Sequence, residues 1–371
     1  MRIFITGFEG YVGRRVVDAL RRRNVPITAL CRSADAASRA EKLGIRPAKV
    51  GLDDPEALAV AVLGHDAVGH FAASDTPGFA ATERAAIPAI LAALPLDGAL
   101  VTQGGTLVFG DRGRDAPTVD PAFDPPPALA VRAELDEMVL RAGHRGRRTC
   151  VVYGAFVFGG DGAMIPDALR RSARAHAECG YPGDGSAVWS AVHVEDWAEL
   201  MASALLAGPA GGHAVIAAAQ EVRIADAAAA IGRGVEPPKP ARPIGPRQAK
   251  ERYPAFAEAL DSWQRFDGAP ARDMFGWRPR DRDVYAELTD GSGHRRRAER
   301  EGAAAAGRVA TRAEYEAAVA RVEALSGVPL GGDDPEAEEL DEWLRAIEAY
   351  EADGRPDRSS GHAAFGVPVG R

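Results

Sequence analysis

IFITGFEGYVG, residues 3–13, is the stretch that decides the fold. A short β-branched and apolar run, Ile3–Thr6, ends on Gly7, and a helical pattern through Val12, Val16, Val17 and Leu20 follows at once. Glycines at 7, 10 and 13, placed between a strand and a helix, form the turn that accepts the pyrophosphate of a dinucleotide. Gly7 permits the tight turn, Gly10 lets backbone approach the phosphates, and Gly13 lets the helix lie close on the sheet. Tyr11 and Val12 open the helix, whose free N–H groups and dipole attract an anion. Glu9 brings an unwelcome negative charge into that turn unless its side chain points to solvent.

Outward from the turn, strands and helices alternate. Ile27–Cys31 reads as a strand, Ala34–Leu43 as a helix and Ile45–Val50 as a third strand. A helix then opens at Pro55 behind Asp54, an N-cap followed by proline at the first helical position. Ala67–Ala73, Gly98–Thr102 and Arg148–Tyr153 read as further buried strands, separated by helices at Phe79–Leu94 and Ala128–Ala142. This order predicts an α/β fold, a doubly wound Rossmann parallel sheet, over residues 1–160. The Pro- and Asp-rich loop Asp111–Pro127 is long enough to serve as a lid or substrate loop. Residues 161–288 read as a smaller C-terminal substrate lobe, with segments near 188–220 returning to the sheet. Pro237–Pro246 reads as extended.

An appended α-helical tail, 289–371, completes the chain. Thr311 and Glu314 have capping-box spacing, and Tyr315, Val319, Val322 and Leu325 follow on one face. Asp334-Pro335 starts a second helix with the stripe Leu340, Trp343, Leu344, Ile347 and Tyr350, while the residues from Arg355 read as disordered. The pattern predicts a helical hairpin, packed on the body or joining two copies as a homodimer.

Bulk composition narrows the function classes. Hydrophobic residues make up 46% and charged residues 26% of the chain, as in a globular protein. No apolar run approaches the roughly 18 residues of a membrane helix. The start, MRIFITG, leaves no room for a signal peptide, and Cys31, Cys150 and Cys179 are too few and too scattered for a disulfide or metal framework. A cytoplasmic protein is expected. From residue 290 onward 17 acidic and 11 basic side chains account for most of the net charge of −8. Neither part carries the basic footprint of a nucleic-acid binder, so the expected partner is a small-molecule substrate. Only four of the 45 basic residues are lysines.

The sequence after the second strand bears on the cofactor. Cys31-Arg32-Ser33 has no acid to bind a ribose 2′-hydroxyl, whereas an arginine with a hydroxyl beside it suits a 2′-phosphate. NADP is therefore expected over NAD.

Taken with VGHFAAS (Val68–Ser74), VTQGGTLVFGD (Val101–Asp111), WSAVHVEDWAELMASAL (Trp189–Leu205) and GWRP (Gly276–Pro279), the glycine turn resembles the short-chain dehydrogenase/reductase superfamily. The likeness is to its extended or atypical branch and covers residues 1–288. It implies Leu52, Asp53, Phe71, Ala72, Ala73 and Thr102 as further cofactor-binding residues, with Asp53 standing in for the aspartate usual at Gly51. The resemblance also implies a catalytic Ser or Thr and a Tyr-x-x-x-Lys pair, and here the pair is missing. No tyrosine lies between Tyr11 and Tyr153 and no lysine between Lys49 and Lys239. Leu129 and Ala133 stand where the pair falls, and Gly104 or Gly105 where the serine falls.

An unassisted tyrosine is a poor base at neutral pH, so other residues have to be considered. Thr106 is the nearest hydroxyl to the serine position. Tyr153 ends the strand that faces the nicotinamide. His193 has the side chain suited to proton exchange near neutrality, although HVED also reads as a helix start capped by Glu195 or Asp196. His70 reads as a satisfied core residue. The expected function is an NADP(H)-dependent reductase or isomerase-type enzyme acting on a small carbonyl or hydroxyl compound. The alternative is a catalytically silent dinucleotide sensor or partner-binding scaffold.

Overall fold

The computed structural model describes residues 1–290, apart from 73–77, 116, 144–145, 161 and 255, and in the tail only 314–316, 318–319, 322, 343, 346–347 and 350. The chain divides into two units, residues 1–292 and 293–371.

Seven parallel strands form the main sheet: β1 (Ile3–Thr6), β2 (Ile27–Leu30), β3 (Arg46–Ala48), β4 (Ala67–His70), β5 (Ala99–Gly105), β6 (Arg148–Gly154) and β10 (Gly211–Ala217). Their spatial order is β10-β6-β5-β4-β1-β2-β3. The doubly wound sheet is thus as the sequence predicts. The winding reverses between β1 and β4, which pair in register from Ile3↔Ala67 to Thr6↔His70. Ligands of such sheets bind outside the strand carboxyl ends at this reversal, so the topology brings the glycine turn to the site.

Both faces of the sheet are covered, which is why its strands read as continuous apolar runs rather than alternating ones. On one face lie α1 (Gly13–Arg21), α2 (Ala34–Lys42) and α7 (Val194–Ala207), sealed by Val16, Val17, Leu20, Leu200 and Met201. On the other lie α3 (Pro55–Val62), α4 (Phe79–Ala93) and α5 (Ala130–Gly143), packed through Leu58, Ile87, Ile90 and Val139. Two arginines just past the end of α1, Arg22 and Arg23, grip Glu199 of α7 at 2.5 and 2.6 Å.

The smaller lobe has a core of its own. It contains β7 (Phe156–Phe158), α6 (Met164–Ala175), β8 (Cys179–Pro182), β9 (Val188–His193), β11 (Gln220–Arg223), α8 (Ile224–Gly234) and β12 (Ala241–Ile244). Strands β11, β9 and β7 make one small sheet, and β12 pairs with β8 in another. Thus part of the stretch expected simply as extended, 237–246, is a paired strand. Helices α9 (Pro246–Arg252), α10 (Ala269–Phe275) and α11 (Val284–Asp290) finish the unit. Gly276 ends α10 in the left-handed region at φ 60°, the conformation glycine adopts without strain. That turn sends the Trp277 indole N–H to the carbonyl of Asp196 at 2.8 Å, so GWRP clamps the start of α7.

The loop expected as a lid is tied down. Arg112 N–H donates to the Trp263 carbonyl, and Thr118 exchanges backbone hydrogen bonds with Arg265 and Asp267. In the second unit Tyr315 and Tyr350 stack at 5.1 Å, with Trp343 and Ile347 packed in the same cluster. The expected disordered end lies outside the described residues.

Candidate functional site

The three glycines of the turn serve different ends. Gly7 lies at φ +69°, and a Cβ there would sit 2.5 Å from the backbone nitrogen of Ala72. At Gly13 a Cβ would come within 2.0 Å of the Gly7 carbonyl oxygen. The fold itself requires both. A Cβ at Gly10 would meet only the Gly7 oxygen, at 3.2 Å. The bare backbone at 10 therefore suits something approaching from outside. Helix α1 starts behind Val12 with no side-chain cap; the Arg14 and Arg15 amides donate to the Gly10 and Val12 carbonyls, and the Val12 and Gly13 N–H groups remain for an anion. This cradle fits a dinucleotide's pyrophosphate. Tyr11 fastens the turn from behind. Its hydroxyl donates to the Gly159 carbonyl at 2.8 Å, its ring lies under Arg15, and burial pushes the phenol's pKa above its usual range.

On the adenosine side, Arg32 is exposed and lies two residues past the end of β2. Ser33 caps α2, its Oγ accepting from Ala36 N–H at 3.1 Å. Leu52 packs at the edge of the core, while exposed Asp53 folds its carboxylate over Gly51. Glu9 is not left to solvent alone: Arg39 of α2 holds it through two contacts.

At the winding reversal a buried polar chain runs through Thr6, His70 and Glu83. Ala72 N–H donates to Thr6 Oγ1 at 3.2 Å, Thr6 Oγ1 meets His70 Nδ1 at 2.8 Å, and His70 Nε2 meets Glu83 Oε2 at 2.7 Å. The Glu83 carboxylate can only accept, so Nε2–H donates to it, and in the neutral ring Nδ1 is left to accept from the Thr6 hydroxyl. His70 is thus a satisfied core residue, as expected, and it joins the loop after β4 to α4. Phe71 in that loop accepts from Gln103 Nε2 at 3.2 Å. Ala73 lies outside the described residues.

Three of the buried polar atoms left unspent among the described residues lie at or just past the end of β5. Thr102 Oγ1, Gln103 Oε1 and Thr106 Oγ1 are buried and make no hydrogen bond among the described residues. Buried polar groups are normally paired, so each such group calls for a partner. Gln103 was not anticipated, although a lone amide beside Thr102 at a strand's carboxyl end is a legible signal.

Tyr153 is placed differently from a residue facing a cleft. It is 0% exposed, enclosed by Phe109 and the far-face core. Its ring occupies the space beside Gly104, where a Cβ would come within 2.4 Å of two ring carbons. A serine at 104 and this tyrosine therefore compete for one volume. The hydroxyl makes no well-aligned hydrogen bond and faces the Asp136 carboxyl on α5. Burial, with the neighbouring carboxylate, drives its pKa well above the usual phenol range, which opposes a role as a base. Burial raises Asp136 in turn, to about 7. Asp136 lies three residues from both Ala133 and Val139, on the buried face of α5, and this spacing signals an acid on an apolar stripe.

His193 is 5% exposed and caps α7, its Nδ1 accepting from Glu195 N–H at 3.2 Å. This corrects the expectation that Glu195 or Asp196 caps the helix: the imidazole, one residue ahead of it, reaches the free amide first. The other nitrogen, Nε2, faces Glu287 at 3.3 Å, and that hydrogen bond holds the carboxyl below its ordinary pKa. With both ring nitrogens engaged, His193 ties β9 and α7 to α11.

Residues 7–99 match the NAD(P)H-binding family model, and residues 138–217 match the NAD dependent epimerase/dehydratase family. The chain is thus similar, over these two stretches, to NAD(P)-binding proteins of epimerase/dehydratase type. It is 30% identical over 230 residues to 4-hydroxy-2-methyl-3-oxo-4-farnesyl-3,4-dihydroquinoline-1-oxide ketoreductase of Stigmatella aurantiaca. That match spans 57% of this chain and 66%, just under two thirds, of the relative. An uncharacterized protein of Schizosaccharomyces pombe is 27% identical over 304 residues, covering 78% of this chain and 98% of that one. Among solved structures, dTDP-glucose 4,6-dehydratase of Streptomyces venezuelae, with NAD bound, superposes with TM-score 0.63 at 20% identity, covering 81% and 98% of the two chains. A nucleoside-diphosphate-sugar epimerase of Pseudomonas aeruginosa gives 0.64 at 16% identity, covering 80% and 98%. No described helix is long and apolar enough to cross a membrane.

Proposed function

We propose that this chain is an NADP(H)-dependent reductase of small carbonyl compounds that works without a tyrosine–lysine pair. The observation that carries the reading is the set of buried, unpartnered polar atoms on Thr102, Gln103 and Thr106, beside a cradle whose Gly10 the fold does not itself require. When bound, the nicotinamide supplies the hydride. The protein's part is to hold the dinucleotide and to steady the carbonyl oxygen as charge develops on it. Gly7, Gly10 and Gly13 with the start of α1 serve the pyrophosphate, and Arg32 serves the 2′-phosphate. Thr106 is the hydroxyl left to donate to the substrate oxygen. The ketoreductase relative supports the reductase reading over an isomerase.

The test is NADPH oxidation against a panel of aldehydes, ketones and enones, alongside calorimetry of NADP binding. Loss of one donor to a developing oxyanion costs about 10²–10³ in rate, so Thr106→Val should lose that much kcat and keep its NADP affinity. Tight NADP binding with no turnover across the panel would support the second reading, a dinucleotide sensor. The sealed Tyr153 and the missing lysine favour that reading.

A further inference from the structure

We propose that Glu83 is a positioning residue for the dinucleotide: acting through His70 and Thr6, it fixes the Ala72 amide against Gly7 and so sets how firmly the glycine turn binds. The inference rests on the dinucleotide reading above. Strands β1 and β4 pair as far as Thr6↔His70, and the chain beyond β4 then runs directly over the first glycine of the turn. A Cβ at Gly7 would come within 2.5 Å of Ala72 N and 2.6 Å of the Phe71 carbonyl carbon. Phe71 N–H still finds the Thr6 carbonyl, at 3.2 Å. Ala72 lies past the last strand pair, and its N–H bonds instead to the Thr6 side chain, at 3.2 Å. The close approach at Ala72 is therefore held by one threonine oxygen.

That oxygen is oriented from a distance. The Thr6 hydroxyl donates to His70 Nδ1 at 2.8 Å, and His70 Nε2–H donates to Glu83 Oε2 at 2.7 Å. All three side chains are buried. With the carboxylate as terminal acceptor, the ring proton and the hydroxyl proton each have one direction, and a lone pair of Thr6 Oγ1 is kept for Ala72. Glu83 sits on the buried face of α4 with Ala86, Ile87 and Ile90, where an apolar side chain would serve packing alone. Burying a carboxylate carries a desolvation cost that pairing at best offsets, so such a group is a poor stabiliser of a fold. Its place at the far end of a chain that starts on a cradle amide gives it another use, which is to order that amide. Without Glu83 the imidazole is free to take its other tautomer; Nδ1–H then donates to Thr6, and the threonine proton loses its acceptor. The hydroxyl then has no set orientation, and the bond from Ala72 weakens.

ADP-ribose contains the pyrophosphate without nicotinamide or 2′-phosphate, so calorimetry with it reads the cradle whichever dinucleotide is used. Losing one hydrogen bond weakens binding about three- to tenfold. Thr6→Val, which keeps the shape and removes the oxygen, should show that loss, and Thr6→Ser should not. Glu83→Leu should weaken ADP-ribose by a similar factor, whereas Glu83→Gln still accepts from Nε2–H and should bind as the wild type does. The double variant Thr6→Val with Glu83→Leu should bind no more weakly than Thr6→Val alone, because both act on one bond. Exchange of the Ala72 amide, followed by NMR, should quicken in Thr6→Val and Glu83→Leu only. Glu83→Met replaces Glu83→Leu if the latter does not fold. Urea unfolding alongside separates a positioning role from a structural one: lower stability with an affinity loss below about threefold in these variants would overturn the inference. So would additive losses in the double variant or an unchanged Ala72 amide. A wild type that binds ADP-ribose while its variants give such results refutes this proposal alone. One that binds neither ADP-ribose nor NADP refutes the dinucleotide reading beneath it.

Discussion

Replacing Asp136 by asparagine should stabilise the protein, and the gain should depend on pH in one direction. Burial raises the Asp136 carboxyl from its ordinary 3.8 to about 7, with the neighbouring Tyr153 hydroxyl and Arg132 offsetting part of the effect. Well below pH 3.8 the group is protonated in both folded and unfolded chains and contributes no pH-dependent difference. As pH rises toward 7 the unfolded chain releases the proton freely while the folded chain resists, so stability falls. Each pKa unit is worth 1.36 kcal/mol, and a shift of about three units sets a ceiling of about 4 kcal/mol above pH 7. Asparagine is isosteric, stays neutral, and still offers Tyr153 an acceptor. Urea unfolding of the two proteins between pH 4 and 8.5 should therefore give curves that nearly coincide at the acid end. They should diverge from about pH 4 to about pH 7 and then run parallel, with Asp136→Asn the more stable. A difference constant across pH, or a wild type more stable than the variant at pH 8, would show that the carboxyl is solvated and ionised at neutrality.

The glycine turn offers a sharper division. Gly10→Val should fold normally and lose NADP in calorimetry, whereas Gly13→Ala should lose about 1–3 kcal/mol of stability through overpacking against Gly7; a destabilised Gly10→Val would mean that the fold needs both. Gly104→Ser should be destabilised by a similar mechanism, about 1–3 kcal/mol, and Tyr153→Val should rescue it in a double-mutant cycle, since the two side chains compete for one space; simple additivity would refute the competition. His193→Ala removes a helix cap and should cost about 1–2 kcal/mol in urea unfolding, with kcat for NADPH oxidation unchanged; a large fall in kcat in a folded variant would restore His193 as a proton donor.

Local chemistry wrote much of this protein into its sequence. Residues 3–13 specify strand, turn and helix because glycine spacing and apolar periodicity act over a dozen residues, and the strands buried on both faces stand out as apolar runs. The helix limits, Asp54 as a cap, and the missing Tyr-x-x-x-Lys pair are equally matters of neighbouring residues. Which polar groups meet was decided by the tertiary structure alone. Thr6, His70 and Glu83 become one hydrogen-bonded chain only because β1 and β4 lie side by side. Glu9 changes from a liability to one half of an ion pair only when α2 brings Arg39 to the turn. Tyr153 and Gly104 are 49 residues apart in sequence yet directly paired across β5 and β6, so the ring that seals the tyrosine and excludes a serine is invisible until the strands align. Periodicity reports which face a side chain takes, but the partner it finds there depends on strand order, and strand order is a property of the whole folded chain.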